Sequence, residues 1–199
     1  MKKAIYILAA VVIIGALVVG ALVYQTLTMP GNQHHFYGFE SGFSGWAKGA
    51  DVPDDPNRPG NPVNWTIELL DDISRGGNQS VRFFIDGTQD DGTIWIQRKI
   101  SLTPNSVSNI SISFELWSPS ESFNTIANVV GYLGTKNATV EGDFQTLGVA
   151  NQVEGWKAYM MNGALFPDSS GDAYIAVGIS VAWETQMTYY IDDVTVDIN

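Results

Sequence analysis

Residues 109–117 read NISISFELW, and every second position in this stretch is apolar. The apolar positions are Ile110, Ile112, Phe114 and Leu116. Because successive side chains of a β-strand point to opposite faces, this alternation predicts a strand with one face in a core. Glu115 and Trp117 fall on the opposite face of the same strand.

The same alternation recurs along much of the chain after residue 35. Residues 80–86 (SVRFFID) and 93–102 (TIWIQRKISL) repeat it, and two turn dipeptides, Asp86-Gly87 and Asp91-Gly92, lie between them. Further predicted strands cover residues 127–133, 155–161, 173–183 and 188–198. No segment beyond residue 35 has a sustained helical apolar period, so the sequence predicts an all-β sandwich.

Three short motifs resemble the jelly-roll carbohydrate-binding modules and their galactose-binding-like relatives. They are Phe39-Glu40-Ser41-Gly42 followed by Gly45-Trp46, the turn sequence GGNQSV at residues 76–81, and YIDDVTV at residues 190–196. The likeness in layout covers residues 36–199 and implies a jelly-roll β-sandwich. Lectins, enzyme-attached modules and surface proteins all use this fold, so carbohydrate binding is one of several functions that it implies.

Residues 4–24 (AIYILAAVVIIGALVVGALVY) form an uncharged run directly after Lys2 and Lys3. A helix of this length spans roughly 30 Å, the thickness of the hydrocarbon core of a bilayer. We therefore expect a single N-terminal transmembrane helix within an anchor at residues 1–29, a connector at 30–35 and one domain at 36–199. The Lys pair favours a cytoplasmic N-terminus and an extracellular domain at the cell membrane. The alternative is a signal segment, cleaved near residues 19–21, and a secreted domain.

The composition restricts the partners of this domain. The chain has a net charge of −11, and without the two N-terminal lysines 8 Lys and Arg remain against 21 Asp and Glu, or −13. Such a surface repels nucleic acid, so no nucleic-acid partner is expected. The absence of cysteine excludes disulfides and thiol chemistry. The predicted glycosylation sites are the four sequons at Asn64, Asn78, Asn109 and Asn137.

The resemblance also implies a structural calcium ion that ties the first strand to the last, with Glu40 and Asp192 near it. The residues give an independent reason for Asp192, because in a regular strand it shares a face with Val194 and Val196 and points toward the core. A buried carboxylate is unfavourable unless it is paired or binds a metal, and Ca²⁺ accepts carboxylate oxygens. The alternative is that Asp192 accepts hydrogen bonds from the backbone amides of a turn, without an ion.

Exposed aromatic side chains are the predicted ligand-binding residues. Trp95 with Gln97, and Trp117 with Glu115, lie opposite the apolar faces of their strands. An aromatic ring can stack on the apolar face of a sugar while a neighbouring amide or carboxylate bonds the hydroxyls. We therefore predict one ligand face made of these four residues. The tryptophans expected in the core instead are Trp46, Trp156 and Trp183.

Three functions remain open. The first is a non-catalytic, membrane-anchored extracellular domain that binds glycan or another cell-envelope component. A structural or adhesive surface protein that self-associates is the second. The third is a glycoside hydrolase, because Glu115 and Glu184 each neighbour a Trp and retaining glycosidases use two carboxyl groups about 5–5.5 Å apart. The sequence contains no Gly-x-Ser-x-Gly motif, and His34 and His35 form an isolated pair in the connector.

Overall fold

The computed structural model describes residues 32–199, which form eleven β-strands. The strands are β1 (Gln33–Tyr37), β2 (Ala47–Asp51), β3 (Trp65–Leu70), β4 (Ser80–Gly87), β5 (Thr93–Ser101), β6 (Ser108–Ser118), β7 (Ala127–Gly134), β8 (Gln145–Val149), β9 (Gly155–Leu165), β10 (Asp172–Val181) and β11 (Thr185–Ile198). The predicted transmembrane segment lies outside the described residues. Within residues 32–199, no helix is long and apolar enough to cross a membrane.

Two antiparallel sheets form a sandwich, which confirms the predicted all-β class. The six-stranded sheet has the order β3-β4-β11-β6-β9, with β1 paired to the C-terminal part of β11. The five-stranded sheet has the order β2-β5-β10-β7-β8. The chain changes sheets at each step from β4 to β7 and again from β8 to β11. Most consecutive strands therefore lie on opposite sides of the core, as they do in a jelly roll.

The predicted alternation places one face of each long strand in the core between the sheets. In β6 the buried residues are Ile110, Ile112, Phe114 and Leu116. The same cluster contains Val81, Phe83 and Ile85 of β4 and Ile94, Ile96 and Ile100 of β5. Trp46 is also buried, as predicted, and its ring meets Tyr37 edge to face at 5.5 Å. Burial of this apolar area is the main favourable contribution to folding.

A β-bulge in β11 changes the face on which Asp192 lies. The pairing of β11 with β6 shifts register directly after Asp192, and Asp193 has a φ of 51°, a conformation that Asp tolerates better than most residues. Ile191 and Val194, three positions apart, therefore both face the core. Asp192 lies opposite Glu115 on the outer face of the sheet. The prediction that Asp192 points into the core is wrong for this reason.

The structure differs from the predicted elements at the short strands and at one strand end. Alternation does not predict β1, β2, β3 and β8, which have five or six residues each. β1 includes His34 and His35, which pair with β11 and do not belong to a connector. β10 ends at Val181, and Trp183 lies in the following turn with 55 % of its surface exposed. The prediction that Trp183 is in the core is wrong because the apolar stripe stops with the strand.

Candidate functional site

One row of large side chains crosses the outer face of the six-stranded sheet. Trp156 of β9 lies opposite Trp117 of β6, and Trp117 lies opposite Tyr190 of β11. The row continues through Arg82 of β4 to Glu68 of β3. Neighbouring strands are about 4.8 Å apart, so the five positions together span roughly 19 Å. We term Trp156, Trp117 and Tyr190 the aromatic row.

Trp117 and Tyr190 of the aromatic row pack on each other, and the rings of Trp117 and Trp156 stay partly open to solvent. Trp117 meets Tyr190 edge to face, with ring centroids 5.5 Å apart. Trp117 and Trp156 are partly exposed, whereas only 6 % of Tyr190 is exposed. Burial raises the pKa of Tyr190 to about 12. Its hydroxyl therefore stays protonated and donates a 2.8 Å hydrogen bond to Oδ2 of Asp72.

Charged groups flank the aromatic row on the same face. Glu115 lies two residues from Trp117 along β6 and opposite Asp192 of β11. At the other end, Nη1 of Arg82 is 3.6 Å from Oε2 of Glu68. Exposed rings beside groups that accept or donate hydrogen bonds fit a ligand that has both an apolar face and hydroxyls.

Asp192 holds one part of the loop between β3 and β4, residues 71–79, beside the row. Asp192 is fully buried, and its Oδ2 accepts hydrogen bonds from the amides of Arg75 at 2.9 Å and Gly76 at 3.2 Å. Its Oδ1 accepts the amide of Asp193 at 2.8 Å. Burial raises the pKa of Asp192, and these three hydrogen bonds oppose that effect. We term residues 71–79 the β3–β4 loop.

Glu40 holds the other part of the β3–β4 loop. Its Oε1 accepts hydrogen bonds from the amides of Asn78 at 2.9 Å and Gln79 at 3.0 Å. Gly77 has a φ of 63°, and a Cβ at this position would overlap the carboxylate of Glu40. Glycine therefore allows both the left-handed turn and the close approach of the carboxylate to the loop.

These contacts do not fit a calcium ion shared by Glu40 and Asp192. Ca²⁺ takes about six to eight oxygen ligands. Both carboxylates instead face N–H donors of the β3–β4 loop. Residues 32–199 contain no group of three or more acidic, His or Cys side chains placed to hold a metal ion. The contacts thus favour the hydrogen-bonded alternative.

Chelation is expected to leave the melting temperature of the protein unchanged. Amide hydrogen bonds hold the β3–β4 loop, so removing Ca²⁺ takes no partner away from Glu40 or Asp192. Thermal melts of the full-length chain with and without EDTA measure this. A fall of several degrees in EDTA, together with calcium in the purified protein, would contradict the expectation and support the calcium prediction.

Glu40 is expected to make the stability of the protein fall in acid. The amides of Gln79 and Asn78 hold the pKa of Glu40 below its ordinary value of 4.5. Because the folded state has the lower pKa, this stabilisation is present above about pH 4.5 and is lost as the pH falls through the folded-state pKa. Asp192 acts in the opposite direction because burial raises its pKa.

A comparison of wild type with Glu40→Gln isolates the contribution of Glu40 to this pH dependence. The two melting temperatures should differ most at neutral pH and converge in strong acid, where Glu40 is protonated in both folded and unfolded chains. Melts across this pH range measure the difference. A difference that stays constant at every pH would show that the carboxylate charge plays no part.

Trp95 does not offer an exposed ring. It lies on the outer face of the five-stranded sheet, opposite the core-facing isoleucines of β5, but only 2 % of it is exposed. Residues 135–144 cover it, with Phe144 at 4.9 Å between ring centroids and Ala138 in the same buried cluster. A Cβ at Gly49 would overlap the indole, so the ring also packs directly on β2. The prediction that Trp95 binds ligand is corrected, since packing is its role here.

The four predicted ligand residues lie on two opposite faces of the sandwich. Trp95 and Gln97 belong to β5 in the five-stranded sheet, whereas Glu115 and Trp117 belong to β6 in the six-stranded sheet. The core separates these outer faces. The prediction of a single face is therefore wrong, and only Glu115 and Trp117 lie with the aromatic row. Alternation gives the face of a residue within its strand but not the sheet to which the strand belongs.

Glu115 and Glu184 are not brought together. Glu184 lies in the turn before β11, and Glu115 lies opposite Asp192 further along that strand. The eight positions from 184 to 192 span about 26 Å in an extended strand. This is far beyond the 5–5.5 Å or so that separates the two carboxyl groups of a retaining glycosidase. The pair therefore does not form the site that the glycosidase alternative requires.

The four predicted glycosylation sites, Asn64, Asn78, Asn109 and Asn137, are all exposed. Glycan attachment requires such exposure, and the use of these sites stays a prediction. Asn78 is distinct because its Nδ2 also lies 3.5 Å from Oε2 of Glu40 in the β3–β4 loop.

Four of the five positions that cross this sheet face are not among the ligand residues predicted from the sequence, namely Trp156, Tyr190, Arg82 and Glu68. Tyr190, Arg82 and Glu68 carry no sequence pattern that marks a ligand residue, because these side chains become neighbours only when the strands pair. Trp156 was expected in the core, but it lies on the outer face opposite Trp117. The signal was available in β9, where Tyr159 is buried three positions away and therefore faces the other side.

No family model and no curated protein matches this chain. Solved structures match its fold at low identity. The CBM22-1–CBM22-2 tandem domain of Paenibacillus barcinonensis Xyn10C is 15% identical, with a TM-score of 0.53 over 83% of this chain and 50% of that one. The CBM22-1–GH10 modules of Clostridium thermocellum Xyn10B, complexed with xylohexaose, are 12% identical, with a TM-score of 0.50 over 82% of this chain and 28% of that one. The enzymatically active domain of tailspike protein 4 from bacteriophage CBA120 is 13% identical, with a TM-score of 0.51 over 82% and 20%.

Residues 32–199 thus have the jelly-roll β-sandwich fold found in carbohydrate-binding modules. This supports the resemblance that the three motifs indicated. The likeness is one of fold, and the chain spans half or less of the length of these three structures.

Proposed function

We propose that this protein is a membrane-anchored extracellular module, without catalytic activity, that binds a neutral glycan across the aromatic row. The observation that carries the proposal is the alignment of Trp156, Trp117 and Tyr190 on three neighbouring strands of one outer sheet face. The fold that the chain shares with carbohydrate-binding modules supports it. Residues 4–24 support the membrane part, because they form an uncharged run of spanning length.

The chemistry of the row suits a sugar chain that lies across the strands. The C–H groups on one side of a pyranose form an apolar patch, and an aromatic ring covers such a patch without requiring a fixed hydroxyl pattern. Trp117 and Trp156 are the partly exposed rings that a glycan would cover. Glu115, beside Trp117 on the same face, can accept hydrogen bonds from sugar hydroxyls.

Acidic side chains favour a neutral glycan over an anionic one. Glu115, Asp86 and Glu68 all lie on this outer face. The cationic side chain next to the aromatic row, Arg82 of β4, is already paired with Glu68. A uronic acid or a sulfated sugar would bring like charge against these carboxylates, which lowers affinity.

Calorimetric titration of the full-length chain tests this proposal. Xylohexaose is a suitable neutral probe, since the fold neighbour from Clostridium thermocellum was complexed with it, and an oligogalacturonate of equal length is the anionic comparison. We expect binding of the neutral oligosaccharide and weaker or no binding of the anionic one. Preference for the anionic glycan would contradict the proposed ligand class.

Self-association is a second candidate, and the edge of the six-stranded sheet favours it. β9 is an edge strand of eleven residues, pairs within residues 32–199 only with β6, and carries Lys157 as its one charge. Met160 on this strand is 60 % exposed. An edge strand with few charges and no strand partner on one side can pair with a second strand. Sedimentation that changes with protein concentration would support this candidate, and a concentration-independent monomer would exclude it.

A further inference from the structure

A continuous series of contacts leads from the β3–β4 loop to the aromatic row. The loop carries Asp72, whose Oδ2 accepts the hydroxyl of Tyr190 at 2.8 Å and whose Oδ1 accepts the amide of Ile73 at 3.0 Å. Both oxygens of Asp72 therefore have partners inside the protein, although the side chain is exposed. Asp192 and Glu40 hold the rest of the loop through its main-chain amides.

Tyr190 depends on Asp72 as an acceptor. Tyr190 is 6 % exposed, and a hydroxyl that loses its hydrogen-bond partner in such a place is unfavourable. The ring would then have to turn toward water. Trp117 rests edge to face on Tyr190, with ring planes 83° apart, so a turn of Tyr190 removes the support of the exposed indole.

We propose that Asp72 is a positioning residue for glycan binding. It fixes Tyr190 by a hydrogen bond and, through Tyr190, the ring of Trp117, without contacting the ligand itself. This inference rests on the proposed function. It also gives Glu40 and Asp192 a part in binding, since they hold the loop that carries Asp72.

The test is a double-mutant cycle on the full-length chain, with xylohexaose as the probe. Asp72→Ala removes the acceptor of the Tyr190 hydroxyl and should weaken binding about 3- to 10-fold, the range expected for loss of one hydrogen bond. Tyr190→Phe should weaken binding less, because its ring has no hydroxyl to leave unpaired. Because Asp72 acts through Tyr190, the double variant should bind no more weakly than Tyr190→Phe alone. Asp71→Ala is the matched control, since it removes the same side chain from the adjacent exposed position of the loop and should leave affinity unchanged.

Glu40→Gln is a second variant, which loosens the β3–β4 loop from its other end. It should also weaken binding, and the loss should disappear in the Tyr190→Phe background. A readout without ligand is the tryptophan emission spectrum, which Asp72→Ala should shift in the otherwise wild-type protein but not in a Trp117→Phe background.

Two results would overturn the inference. One is an unchanged affinity and an unchanged emission spectrum in Asp72→Ala. The other is a double variant whose loss equals the product of the two single losses, because Asp72 and Tyr190 would then act independently. The proposed function fails in a different way, namely by retention of binding in Trp117→Ala or by no binding of the neutral glycan to wild type.

Discussion

Trp95→Ala is expected to lower the melting temperature of the protein by about 6–20 °C. Trp95 is 2 % exposed and packs against Phe144 and β2. Truncation of a buried Trp costs about 3–5 kcal/mol, because the site loses both the transfer free energy of the ring and the contacts around the cavity. In a domain of this size, about 2–4 °C is lost for each kcal/mol. Thermal denaturation followed by circular dichroism measures the change.

Trp183→Ala is the matched control for this variant. The same atoms are removed, but Trp183 is 55 % exposed in the turn before β11. A surface change of this kind alters stability by about 0.5 kcal/mol or less, so its melting curve should nearly overlay that of wild type. Equal losses in the two variants would mean that residues 135–144 do not bury Trp95 in solution.

Trp117→Ala is expected to weaken binding of xylohexaose about 30-fold or more while the fold persists. Aromatic residues at the centre of a binding surface commonly contribute about 2 kcal/mol or more, which corresponds to a factor of about 30. Trp117 is central in the aromatic row, between Trp156 and Tyr190. Because it is partly exposed, its truncation should cost about 1 kcal/mol of stability, far less than the truncation of Trp95.

Calorimetric titration of wild type, Trp117→Ala and Trp183→Ala measures this difference. Trp183→Ala serves as the control because its ring is more exposed than that of Trp117 and lies outside the row. We expect it to bind like wild type. If Trp117→Ala keeps its affinity, or if both variants lose affinity equally, the aromatic row is not the binding surface.

The fold could be predicted because long strands leave a clear signal in the sequence. In β4 and β6 every second residue enters the core, and in β5 only Arg98 interrupts this alternation. A core that excludes water imposes that period on any sequence. Short strands such as β1 and β8 carry too few positions for a period to be visible. They form because a neighbouring strand supplies hydrogen-bond partners along its edge.

The candidate site could be predicted only in part, and Trp95 and Trp117 show why. Each occupies a polar-side position in an alternating strand, so the two are equivalent in the sequence. The two side chains differ in burial because residues 135–144 fold over Trp95 on β5. No segment within residues 32–199 covers Trp117 to the same degree. Contacts of this kind join positions that are far apart in the chain, and no local pattern records them.

The bulge at Asp193 is a second feature that the local sequence does not reveal. A regular alternation through residues 188–198 places Asp192 on the same sheet face as Val194. The extra residue of the bulge instead puts Asp192 on the opposite face from Val194. Asp tolerates a positive φ, so the Asp192-Asp193 pair is compatible with a bulge, but the regular strand fits the sequence equally well. The carboxylate thus reaches the β3–β4 loop and not the core.

A glycan array probed with the full-length chain and with Trp117→Ala tests the central claim most directly. The claim is that the outer face of the six-stranded sheet binds neutral glycan. We expect wild type and Trp183→Ala to share signals on neutral glycans and to give none on uronic or sulfated ones, and we expect Trp117→Ala to lose those signals. Signals that persist in Trp117→Ala, or an array on which wild type binds no neutral glycan, would contradict the claim.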